Sequence, residues 1–137
     1  MAEAKSIQCV VVTPERAVLD ERCSFIAIPL YDGELGVAPG RLPLIGRLGF
    51  GELRLVTAAG TQRYYIDGGF VQTRDNTVTI LTPRAVKAED IKIPAVEETL
   101  KAAQKPTASE EAIEASLKTQ ERARAQLRIA KKESPAV

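Results

Sequence analysis

Between residues 118 and 133, six basic side chains (Lys118, Arg122, Arg124, Arg128, Lys131 and Lys132) are accompanied by two acids, Glu121 and Glu133, a local net charge of +4. At about 100° per residue the bases spread over roughly half of a helix circumference. Ala112, Ser116, Thr119, Ala123 and Ala130 take the other side, with Leu127 at its margin. Such a surface suits an acidic partner and steers its approach; the competing reading is a basic face that meets only solvent. Covalent chemistry has little to draw on. The sequence holds no histidine, which removes imidazole catalysis, Ser/His/Asp and Cys/His triads, and histidine-bearing zinc sites. Cys9 and Cys23 are spaced unlike any metal-binding pair and read as small buried hydrophobes. No acid, base and nucleophile can be assembled, so the expectation is a protein that is not an enzyme and carries no metal or cofactor.

The chain that must position this helix divides in two. All nine glycines lie between Gly33 and Gly69, and all six aromatics precede residue 71. From Ala88 onward there are eleven alanines and no glycine or aromatic, a switch from turn-rich β composition to helix composition. The boundary falls within 83–93. In the first part Ile7, Cys9 and Val11 alternate with Gln8, Val10 and Val12, and 24–30 reads as a strand with Ile26, Ile28 and Leu30 on one face. Leu53 and Leu55 alternate with Glu52 and Arg54. Segments 70–73 and 77–82 flank the polar turn Arg74-Asp75-Asn76, a hairpin. Short strands at this spacing predict a sandwich or barrel. In the second part Pro94 opens a short helix that ends near Gln104, and Lys105-Pro106-Thr107 breaks it. Ser109 caps a second helix with Glu110, Glu111 and Glu114 near its positive end, and Ser134-Pro135 stops it. Neither helix has a strong apolar stripe, so docking rather than intrinsic stability must hold the tail.

The most informative string is Asp32-Gly33-Glu34-Leu35-Gly36-Val37-Ala38-Pro39-Gly40-Arg41-Leu42-Pro43-Leu44. Physically it is a structured loop, with Pro39-Gly40 suited to a tight turn that needs positive φ at the glycine. As a string it resembles the signature of the epsilon subunit family of F-type ATP synthases, where Gly-Glu-x-Gly-x-x-Pro-Gly-x-x-Pro-Leu recurs. Val12-Thr13-Pro14-Glu15, Leu48 with Gly51-Glu52-Leu53-Arg54-Leu55, Gly68-Gly69-Phe70-Val71 and Asn76-Thr77-Val78-Thr79-Ile80-Leu81 extend the likeness. Ala85 with Asp90-Ile91 matches the entry to the helices, so about residues 5–91 are covered. Ala125-Gln126-Leu127-Arg128 continues it more loosely.

The resemblance implies an N-terminal ten-stranded β-sandwich, two sheets of five, over residues 1–87 and a C-terminal two-helix hairpin over 88–137. It implies a non-catalytic subunit of the central stalk that couples rotor to catalytic head and inhibits ATP hydrolysis through its helices. The implied partners are the gamma subunit, the membrane c-ring and the catalytic beta subunit. Glu34 and Arg41 would be the loop charges at the c-ring; Lys118, Arg122, Arg124 and Arg128 would meet an acidic segment of the beta subunit. Arg41 stands where the family often has histidine, which makes that contact permanently charged. Some members bind ATP through Ile/Leu-Asp-x-x-Arg-Ala on the helices. Here Ile113-Glu114 is followed by Ser116-Leu117, and Leu117 lies one residue too far from Arg122-Ala123, so the motif is not matched. The polar start at 1–6 and the absence of a long apolar run predict neither signal peptide nor membrane insertion. The expected place is peripheral, on the cytoplasmic face of the cell inner membrane. A net charge of +1 carries no nucleic-acid signature. The second reading is a free-standing β-sandwich binding module with an unrelated helical tail, which co-purification with synthase subunits would distinguish.

Overall fold

The computed structural model describes residues 6–40, 43–105 and 109–132. Alternation decides the first element: Ile7, Cys9 and Val11 are buried and their neighbours half-buried along β1 (Ile7–Val12). β2 (Ala17–Cys23) returns antiparallel to it, with Ile7 opposite Cys23. β3 (Phe25–Leu30) buries Ile26, Ala27 and Ile28 and turns back into β4 (Gly33–Val37). The two longest strands, β5 (Leu44–Thr57) and β6 (Gly60–Arg74), pair along their length from Thr57 opposite Gly60 to Leu44 opposite Thr73. β7 (Thr77–Leu81) follows, then β8 (Ala85–Lys87). Between β6 and β7, Asp75 and Asn76 have φ of 53° and 57°. That left-handed pair suits a two-residue hairpin turn, and it occupies the polar turn read from the sequence.

The hydrogen-bonded order is β2-β1-β7-β6-β5-β3-β4, with β8 on the free half of β6. Eight continuous strands stand where ten were expected, and the two long ones explain the difference. Along β6 the core-facing residues are Tyr64 and Ile66, then Val71 and Thr73. Along β5 they are Leu48, then Leu53 and Leu55. The inward parity of each strand switches once, across 67–69 and 49–51, so each strand leaves one layer and enters the other. Counted once per layer, the strands form two layers of five. One holds β2, β1 and β7 with the second half of β6 and the first half of β5. The other holds β8, β3 and β4 with the remaining halves. Side chains of both meet in one core built around Val11, Ile28, Leu55, Ile66, Val71 and Ile80. Cys9 and Cys23 belong to it as free thiols, and burial pushes the Cys9 thiol far above its ordinary pKa.

Two glycines are required by the geometry. Gly69, at the corner of β6, has φ of 113°, and a Cβ there would lie 1.9 Å from the carbonyl oxygen of Leu81. Gly40 has φ of 88°, as its place after Pro39 predicts, and its N–H donates to Asn76 Oδ1 at 2.8 Å.

A 3₁₀ turn at Ala88–Asp90 leads into α1 (Ile93–Ala103), with Pro94 in its first turn as expected. Ser109 Oγ accepts the Ala112 N–H at 3.0 Å at the start of α2 (Glu110–Lys132), whose first turn carries Glu110 and Glu111. The breaks expected at Pro106-Thr107 and Ser134-Pro135 lie outside the described residues. The tail is docked. α1 buries no residue fully, but α2 buries Ala123, Ala125, Leu127, Ile129 and Ala130. Ala125 and Ile129 join Tyr65 and Ala88 in a second, smaller cluster, with Phe50 and Ile91 at its edge. The small-residue face read from the sequence includes Ala123, Ala130 and Leu127 but omits Ala125 and Ile129.

Gly40→Val should cost about 1–3 kcal/mol, because a β-branched residue is strained at positive φ. Gly69→Ala should cost more, since strain is joined by a backbone clash, and Glu34→Ala should leave the unfolding midpoint near wild type. Denaturant melts of the three variants check the order, and a reversed order would refute the turn geometry.

Candidate functional site

Three surfaces carry the side chains that could meet partners. The first is the β3–β4 hairpin with the Pro39-Gly40 turn after it, so Glu34 sits on a strand where the sequence reading expected a loop, because residues 33–37 pair with β3. Glu34 lies on β4 opposite Pro29 and is exposed. The Pro39-Gly40 turn is tied to the β6–β7 turn through Asn76. Arg41, the other loop charge singled out from the sequence, lies outside the described residues.

The second surface is the outer face of the β2-β1-β7 layer. Strand register places Arg47 beside Phe70, Phe70 beside Leu81, and Leu81 beside Val12. Ile45, two residues from Arg47, faces the same way. The Arg47 guanidinium lies 5.3 Å from the centre of the Tyr31 ring. Tyr31, Ile45, Phe70 and Leu81 are 67%, 76%, 59% and 52% exposed, so this is an apolar row open to a partner rather than part of the core. Sequence reading missed it. The available signal was the alternation of β6, which turns Phe70 outward once Val71 and Thr73 are inward.

The third surface is where α2 lies on the other layer. Arg63, Tyr65 and Asp67 project from β6 beside Phe50, Glu52 and Arg54 of β5. Arg122 of α2 reaches this face: its Nε donates to Asp67 Oδ1 at 2.8 Å, and its guanidinium lies 5.4 Å from the centre of the Phe50 ring. Asp67 also accepts the Tyr65 hydroxyl at 3.3 Å. Burial raises the Tyr65 phenol pKa, and the Asp67 charge adds to the rise. Arg63 pairs with Glu52 and donates to the Ile129 carbonyl at 3.1 Å, so a cation from the sandwich meets the negative end of α2. Arg54 pairs with the same glutamate at 3.3 Å. Between the helices, Ser116 Oγ and Gln120 Nε2 both donate to the Ala103 carbonyl, the latter at 3.1 Å.

The basic residues of α2 are thereby sorted. Lys118, Arg124 and Arg128 are exposed, with Arg124 donating to Gln120 Oε1 at 3.2 Å, whereas Arg122 is turned against the sandwich. A cleft of about 430 Å³ opens beside Arg122, between Arg84, Asp90, Lys92, Val96 and Gln126. No group of three His, Cys, Asp or Glu side chains arranged to hold a metal occurs among the described residues.

Residues 6–88 match the family model described as the β-sandwich domain of the ATP synthase delta/epsilon chain. An ATP synthase epsilon chain of Rhodopirellula baltica is 57% identical over 84 residues, 61% of this chain and 66% of that protein. One from Nitratidesulfovibrio vulgaris is 38% identical over 87 residues, 64% of this chain and 65% of that protein. The matched stretch therefore spans just under two thirds of these relatives' length. Among solved structures, a chain of the Euglena gracilis mitochondrial ATP synthase superposes with a TM-score of 0.69 at 24% identity, covering 96% of this chain and 81% of its own. A chain from the central stalk and c-ring of the Tetrahymena thermophila mitochondrial enzyme gives 0.68 at 15% identity, covering 95% and 99%. At these identities the likeness is one of fold.

Ile129→Ala should loosen the tail by about 2–4 kcal/mol, the usual cost of truncating a buried isoleucine. Lys118→Ala and Arg124→Ala should leave the tail's melting unchanged. Helix melting by circular dichroism decides; a wild-type midpoint for Ile129→Ala would remove it from the docking contact.

Proposed function

We propose a function from one premise: the chain belongs to the ATP synthase delta/epsilon family. It acts as a non-catalytic epsilon subunit of the central stalk, coupling rotor to catalytic head and restraining ATP hydrolysis through its helical tail. The observation that carries this reading is the family match over the sandwich, joined to a tail that leaves Lys118, Arg124, Arg128 and Lys131 of α2 exposed.

The apolar row of Tyr31, Ile45, Phe70 and Leu81 is the surface for the gamma subunit. Its size and openness favour a permanent protein neighbour, since an uncovered apolar row would otherwise promote aggregation. Glu34 and Arg41 contact the c-ring. Lys118, Arg124 and Arg128, joined by Arg122 when the tail is released, meet an acidic segment of the catalytic beta subunit. Charge complementarity of this kind sets approach rate and orientation. No described helix is long and apolar enough to cross a membrane. The place that follows from these partners is peripheral, on the cytoplasmic face of the cell inner membrane.

Residues 1–87 form the rotor-binding unit and 88–137 the regulatory one. The family match ends at 88, which supports the division, although Ala88 itself packs against Tyr65 and the tail. A fragment ending at Lys87 should fold and bind gamma, with a lower unfolding midpoint because Tyr65 loses its cover. Phe70→Asp in the full chain should weaken gamma binding at least tenfold, the penalty for a charge buried at a hot spot. Binding of both variants to immobilised gamma checks this, and wild-type affinity for Phe70→Asp would move the docking surface elsewhere.

Replacing Lys118, Arg124 and Arg128 with Ala should relieve inhibition of ATP hydrolysis in the reconstituted complex and leave assembly intact. The effect should shrink at high salt, where exposed charges are screened. Equal hydrolysis rates for wild type and triple variant at low salt would reduce these residues to solvated charges.

A further inference from the structure

Arg122 differs from its basic neighbours in having a carboxylate waiting on the sandwich. We propose that Asp67 and Phe50 form an internal substitute for the acidic partner, capturing Arg122 and so latching the tail in its docked form. The two groups sit opposite each other in the β5–β6 register, and they offer a guanidinium an anion and an aromatic face at once. Lysine could not use both in the same way, because its point charge lacks the planar surface. The Asp67 side chain is 21% exposed and that of Arg122 43%, so the pair is half-buried and keeps part of its attraction against solvent screening. Asp67 is also fixed in place: it lies at the corner of β6, beside the required glycine at 69, and accepts the Tyr65 hydroxyl.

The rest of the contact is thin enough for such a latch to matter. In the cluster that joins tail to sandwich, α2 supplies one alanine and one isoleucine, Ala125 and Ile129. The Arg63 contact to the Ile129 carbonyl holds the far end of the helix, seven residues beyond Arg122. Arg122 cannot serve Asp67 and an external acid together, so Asp67 competes with that acid for the tail. This last step rests on the proposed inhibitory role of α2; the latch itself does not.

The test uses the full chain with spin labels at Leu117→Cys on α2 and Ala59→Cys at the exposed end of the β5–β6 hairpin. Cys9 and Cys23 are buried and free, so labelling is confined to the new sites. Wild type should give one narrow distance distribution, because Arg122 at Asp67 and Ile129 at Arg63 fix the helix along β6. Asp67→Asn keeps the shape and an acceptor for Tyr65 but removes the charge, and should lower the docked-to-released ratio about tenfold. The double exchange Asp67→Arg with Arg122→Asp restores the ion pair without the Phe50 contact and should recover part of the docked form, which shows that any loss is not misfolding. Unchanged distances in Asp67→Asn, or no recovery in the double exchange, would overturn the latch. Reconstituted complexes then separate the two ideas: released tails with stronger inhibition of hydrolysis support both. Released tails with unaltered hydrolysis uphold the latch and defeat the inhibitory role of α2.

Discussion

The antiparallel pairing of β5 with β6 is the constraint on which the other surfaces depend. Both strands change layer, and each must therefore exchange its inward and outward residues at the corner. Before the corner, the outward side of β6 holds Arg63, Tyr65 and Asp67; after it, the outward side holds Phe70 and Gln72. One hairpin thus builds the platform for the tail at one end and the apolar row at the other. The corner is possible because Gly69 can approach the Leu81 carbonyl where any side chain would collide. A shift of one residue in this register would place Val71 and Thr73 in solvent and Phe70 in the core, exchanging the roles of the two faces.

The two faces solve different energetic problems. Tyr31, Phe70 and Leu81 keep apolar area in water, which favours a large and lasting partner. The tail platform is instead mixed, with three ion-paired arginines around a small apolar centre. Burying Ile129 contributes about 1.5–3 kcal/mol, comparable to the entropy of ordering only one or two residues. Such a contact holds a helix without welding it. Reversible docking needs a small difference between states, because a partner can shift the balance only by its differential affinity.

Much of this was legible in the order of residues. Alternation in β1, the turn at Asp75-Asn76, the positive φ of Gly40 and the Ser109 cap all follow from local chemistry, and local chemistry does not depend on distant contacts. The continuity of β5 and β6 across both layers was not legible, since no local pattern shows that two strand segments either side of small residues are one strand crossing between sheets. Ala125 and Ile129 escaped because α2 is covered from two sides, by α1 and by the sandwich, which widens its buried sector beyond one stripe. Arg122 looked like any member of the basic face. Its distinction comes from Asp67, 55 positions earlier, and no spacing within the helix encodes that meeting.

The parallel pairing of β1 with β7 has a consequence for how the chain is made. Gln8 aligns with Thr77 and Val12 with Leu81, so one neighbour of the first strand is among the last parts of the sandwich to be synthesised. Until the ribosome has released residue 81, β1 can pair only with β2, and Cys9 and Val11 lack the Val78 and Ile80 strand beside them. Long-range closure of this kind is slow and leaves apolar strands uncovered in the interval. Only afterwards does the tail emerge, and its platform is complete once that closure has occurred. The order of translation therefore matches the order of dependence, with the helices added last to a sandwich whose ends have just met.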